Sequence, residues 1–205
     1  YRDYYLSCVA LLAFISMPLV MILYVFSEQL ILLILGDQWL AASDIFKILA
    51  VAAFIQPVVS TNGLVLVSSG KSRLYLKLGV INAIFICVFF IIGLPWGVMG
   101  VATAYTVVNY LLFFPILYYT FRNTYINIRI FIKAILKPLI ASIVMGFTLY
   151  NLNKFYSSSN LIIDLFIFLF FGVIFYLLSI LIIPGGKKLV LDYIYYFKKH
   201  ILKNN

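Results

Sequence analysis

Long apolar runs, separated by short polar segments, dominate the sequence. Cutting the chain wherever charged residues cluster leaves six such runs, at residues 6–26, 45–67, 77–94, 97–121, 135–152 and 161–183. A bilayer core about 30 Å thick needs roughly 20 apolar residues per helix, because backbone groups in lipid must bond within their own segment. The pattern therefore predicts an all-α integral membrane protein, with a bundle of about six transmembrane helices within residues 1–185.

Glycine and proline residues divide these runs. A turn at 94–97 joins the third and fourth runs, which predicts a helical hairpin. Gln56 and Pro57 interrupt the second run at mid-membrane. Because proline has no amide hydrogen to donate, it frees a carbonyl group and predicts a kink, and kinked membrane helices often line cavities.

The composition excludes a water-soluble fold. Hydrophobic residues make up 65% of the 205 positions and the mean hydropathy is +1.14, against roughly 45–50% apolar residues in a typical soluble domain. The net charge of +9 arises from 15 basic and 6 acidic residues. In a soluble protein this excess would indicate nucleic acid, but here the basic residues lie in short loops, where they report orientation and contact with anionic membrane lipid.

The basic residues sort to one side of the membrane if the six helices alternate in direction. That side carries Arg2, Lys71, Arg73, Lys77, Arg122, Arg129, Lys133, Lys137, Lys187, Lys188, Lys198, Lys199 and Lys203. The other side carries only Lys47 and Lys154, beside four acidic residues. The positive-inside rule therefore predicts that both ends of this segment are cytoplasmic. Residues 186–205 form either an amphipathic helix at the membrane interface or a merely solvated tail.

The sequence contains no recognisable motif for catalysis or cofactor binding. It lacks the HExxH, GxSxG and GxxxxGK[ST] patterns, and its one histidine, His200, lies in the lysine-rich tail. Cys8 and Cys87 each lie inside an apolar run without neighbouring ligands, so we interpret them as packing residues. We therefore predict no enzymatic activity, no metal site and no cofactor.

Charged residues at the outer end of the second run form the first candidate site. Asp44 and Lys47 are three residues apart, so they share a helix face and can pair. Asn62 falls on the same face about five turns further in. This polar line predicts the border of a hydrophilic, substrate-binding cavity. Alternatively, Asp44 and Lys47 are interfacial residues, with the lysine snorkelling to the surface, and Asn62 contacts a neighbouring helix.

Basic residues at the cytoplasmic ends of two runs form a second candidate site. Arg129, Lys133 and Lys137 recur every four residues and place three cations on one helix face. Such a stripe can hold a phosphate or pyrophosphate headgroup, or bind anionic bilayer lipid at about 1 kcal/mol per basic residue. The same two interpretations apply to the basic group of Arg73 and Lys77.

Three segments, in order along the chain, carry a resemblance to a known family. They are LILGDQWLAASDIFKILA at 33–50, SSGKSRLYLKLGVINA at 68–83 and GLPWGVMGVATAYTVVNY at 93–110. With the predicted topology, they resemble the carboxy-terminal half of a Wzx-like polysaccharide flippase of the MOP (multidrug/oligosaccharidyl-lipid/polysaccharide) exporter superfamily. Such transporters export repeat units for lipopolysaccharide O-antigen or capsule.

The resemblance implies one six-helix lobe of a two-lobe transporter, without its amino-terminal lobe. The chain also opens without an initiator methionine, so we expect a fragment of a longer protein. The implied substrate is undecaprenyl-pyrophosphate-linked oligosaccharide, which crosses the bacterial inner membrane by alternating access coupled to H+ or Na+. Asp44, Lys47 and Asn62 would then face the cavity, while Arg73 and Lys77 make first contact with the pyrophosphate.

Two rival functions stay open at this point. A MATE-like multidrug exporter of the same fold predicts a compact apolar and acidic cavity for cationic compounds, whereas the excess of basic residues favours the sugar flippase. A membrane-embedded polysaccharide polymerase or glycosyltransferase generally needs a large outer loop with catalytic carboxylates, arginines or histidines. The outer loops here are short and contain no arginine.

Overall fold

The computed structural model of the chain describes residues 2–122, 124, 126–155, 161–183 and 186. This part of the chain contains nine α-helices: α1 (Arg2–Val25), α2 (Ser27–Leu35), α3 (Ala42–Ala53), α4 (Gln56–Ser60), α5 (Asn62–Ser68), α6 (Ser72–Gly93), α7 (Gly97–Phe121), α8 (Ile128–Phe155) and α9 (Leu161–Ile182). Short 3-10 turns at Asp37–Trp39 and Leu94–Trp96 precede α3 and α7. The described residues contain no β-strand, and the predicted tail 186–205 lies outside them except for Gly186.

Several of these helices are long and apolar enough to cross a membrane. Length and hydropathy select four stretches, at Arg2–Val25, Ser72–Phe121, Ile128–Phe155 and Ile162–Ile182. A fifth crossing is added if Ala42–Ala53 and Gln56–Ser68, which meet at a bend of 43°, form one span. The chain is therefore an all-α, multi-pass membrane protein, as its hydropathy predicts.

The 50-residue stretch Ser72–Phe121 is a hairpin of two helices, α6 and α7. Gly97, at the start of α7, has φ 65° and ψ −153°, a backbone conformation that essentially only glycine adopts without strain. The rings of Phe90 and Tyr105 are 6.0 Å apart. If α6 and α7 formed one straight helix, these two residues would be separated by about 22 Å along its axis. The turn before Gly97 therefore reverses the direction of the chain.

The second predicted run is broken where proline predicts a kink. Pro57 has no amide hydrogen, and the backbone amides of Phe54 and Ile55 bond three residues back, at 3.4 and 3.3 Å. The amide of Ile55, which in a regular helix would bond the carbonyl of Val51, therefore bonds Ala52. The carbonyl of Val51 instead accepts the long bond from Phe54. The hydroxyl of Tyr110 on α7 donates to that carbonyl at 2.9 Å. The predicted kink is confirmed by the bend of 43°, and α7 gives the Val51 carbonyl a second, shorter hydrogen bond.

Two apolar clusters hold the helices together. The first joins α1, α7, the start of α8 and the pair Ala42–Ala53 and Gln56–Ser68, which we call the broken span. The second joins α1, α2, α8 and α9. Phe131 on α8 is fully buried in the first cluster, with its ring 5.1 Å from that of Phe121. Gly146 allows α8 to approach α1, since a Cβ atom there would lie 2.3 Å from the sulfur of Met21. The α1–α8 pair is thus shared by both clusters.

Helix α6 lies at the edge of the described bundle. Gly93 is its only buried residue, and side chains such as Ile84 and Ile91 are exposed at 56% and 67%. Apolar side chains on the outside of a membrane bundle face lipid or another membrane segment. The side of the hairpin turned away from α3 and α4 is therefore an outer wall of this bundle.

Candidate functional site

Three charged side chains meet at the junction of α2 and α3. The Nζ atom of Lys47 lies 2.6 Å from Oε1 of Glu28 and 3.6 Å from Oδ1 of Asp44. Gly36, with φ 87°, lets the chain turn between these two helices. The predicted contact between Asp44 and Lys47 is therefore confirmed, while their part in substrate binding stays a prediction. The closer partner, Glu28, was missed by the sequence analysis, because it lies 19 residues away in another helix.

This ion cluster is partly open to its surroundings. The side chain of Lys47 is 31% exposed, and those of Glu28 and Asp44 are 56% and 62% exposed. Exposed ion pairs typically contribute about 0–1 kcal/mol to stability, because solvent screens them. The contact of Lys47 with the two carboxylates therefore contributes little to stability. The charged groups of the cluster are accessible to a ligand or to the lipid interface.

Asn62 stands apart from the ion cluster. The predicted alignment of Asn62 with Lys47 assumes one continuous helix. The helix is interrupted twice between them, after Ala53 and at Thr61. Asn62 is 4% exposed, and neither polar atom of its side chain has a hydrogen-bond partner among the described residues. Just before it, the hydroxyl oxygens of Thr61 and Tyr5 are hydrogen-bonded at 2.9 Å. The structure therefore buries Asn62 in the core, directly after Thr61, which bonds to α1.

A pocket of about 310 Å³ opens between α4, α6 and α7. Its apolar lining is Ile55, Val59, Phe113 and Ile116, and its polar lining is Gln56, Ser60, Asn82 and Asn109. Asn82 and Asn109 lie near the midpoints of the 22-residue α6 and the 25-residue α7. Three side-chain amides from three helices therefore converge within the apolar part of the bundle. We call this group the amide pocket.

The polar groups of the amide pocket are only partly engaged in hydrogen bonds. The Nε2 group of Gln56 donates to the hydroxyl of Tyr105, and the Nδ2 group of Asn109 donates to the carbonyl of Tyr105 at 2.8 Å. The hydroxyl of Ser60 donates to the carbonyl of Pro57 at 2.7 Å. The side chain of Asn82 makes no hydrogen bond within the described part of the chain. The pocket thus has spare donors and acceptors, and its lining carries no ionisable side chain.

The amide pocket was not predicted from the sequence. Gln56 was noted only for the kink, and Asn82 was not singled out. A signal was present, because each amide stands inside an apolar run, where a polar side chain is costly. Hydropathy alone cannot tell whether such residues face one another, since this depends on how each helix is rotated about its axis.

The basic residues of the second candidate site lie at the starts of α6 and α8. Arg73 and Lys77 are exposed, as are Arg129 and Lys133, while Lys137 is half-buried. Within the described part of the chain, none of these five takes part in the ion pairs of Arg2 with Asp3 or of Lys47 with Glu28 and Asp44. Helix α8 begins at Ile128, so the basic stripe lies on the helix itself. These cations are therefore available to an external anion.

A second pocket adjoins the start of α8. It has a volume of about 300 Å³ and is lined in part by Arg122, Thr124 and Asn127. The side-chain oxygen of Asn127 accepts a hydrogen bond of 3.0 Å from the backbone amide of Arg129. This contact links the α7–α8 loop to the basic stripe. Arg122, which also lines the pocket, adds a further cation at that end of the bundle.

Comparison with known proteins relates the chain to polysaccharide biosynthesis. Residues 1–44 match a family model described as polysaccharide biosynthesis protein. Over 156 residues the chain is 28% identical to the teichuronic acid biosynthesis protein TuaB of Bacillus subtilis (strain 168), a match that covers 74% of this chain and 32% of that relative. The aligned region thus spans about a third of the relative's length. No solved structure matches the chain significantly. The chain is a multi-pass membrane protein similar to proteins of polysaccharide biosynthesis.

Proposed function

We propose that the chain forms one lobe of a transporter that moves lipid-linked oligosaccharide across the bacterial inner membrane for surface polysaccharide biosynthesis. One observation carries the transport part: the amide pocket lies between largely apolar helices. Polar side chains inside membrane helices are costly, and those not used up in contacts between helices can line the path of a substrate. The substrate class is suggested by the similarity to a teichuronic acid biosynthesis protein and to a polysaccharide biosynthesis family.

Six crossings are proposed for this lobe. The four stretches selected by length and hydropathy become five when α6 and α7 are counted separately, and six when the broken span is included. An even number puts both ends of the segment on one side, together with the basic starts of α6 and α8. The positive-inside rule assigns that side to the cytoplasm. A second, amino-terminal lobe, as in the Wzx-like transporters of the MOP superfamily, would complete the cavity.

Alternating access is the proposed mechanism. Arg73 and Lys77 attract the pyrophosphate of an undecaprenyl-linked repeat unit at the cytoplasmic surface, while its lipid tail stays in the bilayer. The basic stripe Arg129, Lys133 and Lys137 binds the same group or anionic membrane lipid. Rocking of the two lobes, coupled to H+ or Na+, then opens the cavity to the outside.

The chemistry of the amide pocket favours transport over the two rival functions. Amides and a hydroxyl are poor general acids and bases, whereas a polymerase or glycosyltransferase would need groups that transfer protons or activate a nucleophile. A multidrug exporter for cationic compounds would gain from a carboxylate, and the lining of the pocket includes none. A neutral, hydrogen-bonding pocket suits a sugar.

Genetic complementation tests the proposed function. The gene is deleted in its native bacterium and then returned either as its full reading frame or as this 205-residue segment, and surface polysaccharide is measured. We expect the full frame to restore the polysaccharide and the segment alone to fail. If the deletion leaves surface polysaccharide unchanged, the substrate assignment is wrong, and efflux of cationic dyes becomes the next assay.

Removal of the cation from the ion cluster is expected to impair export. Lys47→Ala leaves Glu28 and Asp44 without their shared partner at the outer end of the broken span, and surface polysaccharide should fall about tenfold in the complementation assay. Lys47→Arg keeps the charge and should retain export. Lys154→Ala removes another outer lysine, which is exposed and forms no ion pair in the described chain, and serves as the control. Normal export by Lys47→Ala would remove the cluster from the mechanism.

A further inference from the structure

We infer that the amide pocket binds a neutral sugar ring of the transported oligosaccharide. This inference rests on the proposed function and adds to it which part of the substrate lies between α4, α6 and α7. Nothing in the similarity to polysaccharide biosynthesis proteins indicates such a site. The assignment depends on the chemistry of the lining, on its unused hydrogen-bonding capacity, and on its size.

The lining matches the hydrogen-bonding pattern of sugar hydroxyl groups. Each side-chain amide offers two donors and one acceptor oxygen, and each sugar hydroxyl can both donate and accept. Gln56, Asn82 and Asn109 therefore present both functions from three different helices. A pyrophosphate would need cations or backbone amides, and an unpaired anion at this depth would be strongly disfavoured. The pocket thus selects the neutral part of the substrate.

The amides of this pocket are not used up by contacts between helices. In most membrane proteins, polar side chains bond across to a neighbouring helix and stabilise packing. Here only Gln56 makes such a bond, to Tyr105 of α7. Asn109 bonds the backbone of its own helix, and Asn82 bonds nothing among the described residues. The remaining donors and acceptors are available to a ligand.

The size and accessibility of the pocket also suit a single ring. Its volume of about 310 Å³ lies at the lower end of the range for small-molecule sites, roughly 300–1,000 Å³. Ser60 is exposed and the three amides are half-buried, so a ligand can reach them. Phe113 contributes an aromatic wall against which the apolar C–H face of a sugar ring can pack. Polar groups along one side and an aromatic wall on another are complementary to a sugar.

Binding of two lipids tests this inference. The probes are undecaprenyl pyrophosphate carrying one neutral hexose, and the same lipid without the sugar. The protein is purified from its full reading frame, and native mass spectrometry measures the affinity for each probe. We expect the wild type to prefer the sugar-bearing lipid. The double variant Asn82→Leu/Asn109→Leu should lose about tenfold in affinity for that lipid only, because two amides that bind hydroxyls are removed.

The matched control is Asn151→Leu. Asn151 also bonds the backbone four residues earlier, with its Nδ2 group 2.7 Å from the carbonyl of Phe147, but it lies on α8 outside the amide pocket. This variant should keep the preference for the sugar-bearing lipid. If the double variant does not purify as a single species, Asn82→Leu alone takes its place, with an expected loss of about threefold.

The outcomes separate the inference from the proposed function. Wild-type protein that binds neither lipid contradicts the proposed function itself. Wild-type protein that binds both lipids equally, or a double variant that keeps the sugar preference, overturns the sugar site and leaves the transport proposal standing. An equal loss of both lipids in the double variant also overturns it, because the amides would then act on the fold or on the pyrophosphate.

Discussion

Gly100→Ala is expected to disrupt the α6–α7 hairpin. A Cβ atom on Gly100 would lie 2.3 Å from the carbonyl oxygen of Gly93 and 2.6 Å from the Cβ of Trp96. The first of these atoms belongs to the backbone, so rotation of a side chain cannot relieve the overlap. We expect the free energy of unfolding to fall by about 2–3 kcal/mol, at the upper end of typical overpacking costs.

Gly79→Ala provides the control for this prediction. Gly79 also lies in α6, but a Cβ atom there would meet nothing within 4 Å. The same added methyl group should therefore raise stability by about 0.5–1 kcal/mol, because alanine is the better helix former. Unfolding in detergent micelles, followed by the loss of helix signal in circular dichroism, measures both variants. Equal stabilities would show that the hairpin tolerates a wider turn than the structure has.

Phe131→Ala is expected to destabilise the core more than Gly100→Ala destabilises the hairpin. Phe131 has no exposed surface, belongs to the cluster that joins α1, the broken span, α7 and α8, and packs on Phe121. Truncating a buried phenylalanine typically costs about 3–5 kcal/mol, through lost contacts and the cavity left behind. The thermal midpoint in micelles should drop accordingly, and the yield of monodisperse protein should fall with it.

The same substitution on the outer face of α8 tests whether burial is the cause. Phe147 lies on the helix that carries Phe131, but its side chain is 71% exposed. Phe147→Ala removes the same atoms without opening a cavity, so it should change the thermal midpoint only slightly. A large loss of stability in both variants would instead indicate that aromatic residues on α8 matter through helix formation or lipid contact.

Hydropathy and local chemistry predict most of the framework of this fold. The apolar runs coincide with helical segments because backbone groups in lipid must bond internally, a rule that needs no tertiary contacts. Pro57 predicts the break between α3 and α4 through its missing amide, and Gly97 supplies the backbone conformation that the hairpin turn requires. Each of these features follows from one residue and its immediate neighbours.

Contacts between helices were beyond the reach of the same reasoning. Lys47 pairs more closely with Glu28 than with Asp44, although Asp44 is nearer in sequence. Helices that are apolar on all sides give no sign of which face is buried, so neither the burial of Asn62 nor the meeting of Asn82 with Asn109 could be predicted. Rotation and packing of whole helices decide these positions.

Because α6 lies at the edge of the described bundle, its length has to match the thickness of the bilayer. At about 1.5 Å per residue, its 22 residues are about 33 Å long, close to the roughly 30 Å hydrocarbon core of a bilayer. Lys77 lies near one end and the exposed Trp96 just beyond the other, so the two anchor opposite interfaces. Hydrophobic mismatch is relieved by tilt at a small cost per ångström. Bilayer thickness therefore acts on the tilt of the hairpin together with its packing against α3 and α5, and so on the depth of Asn82 in the membrane.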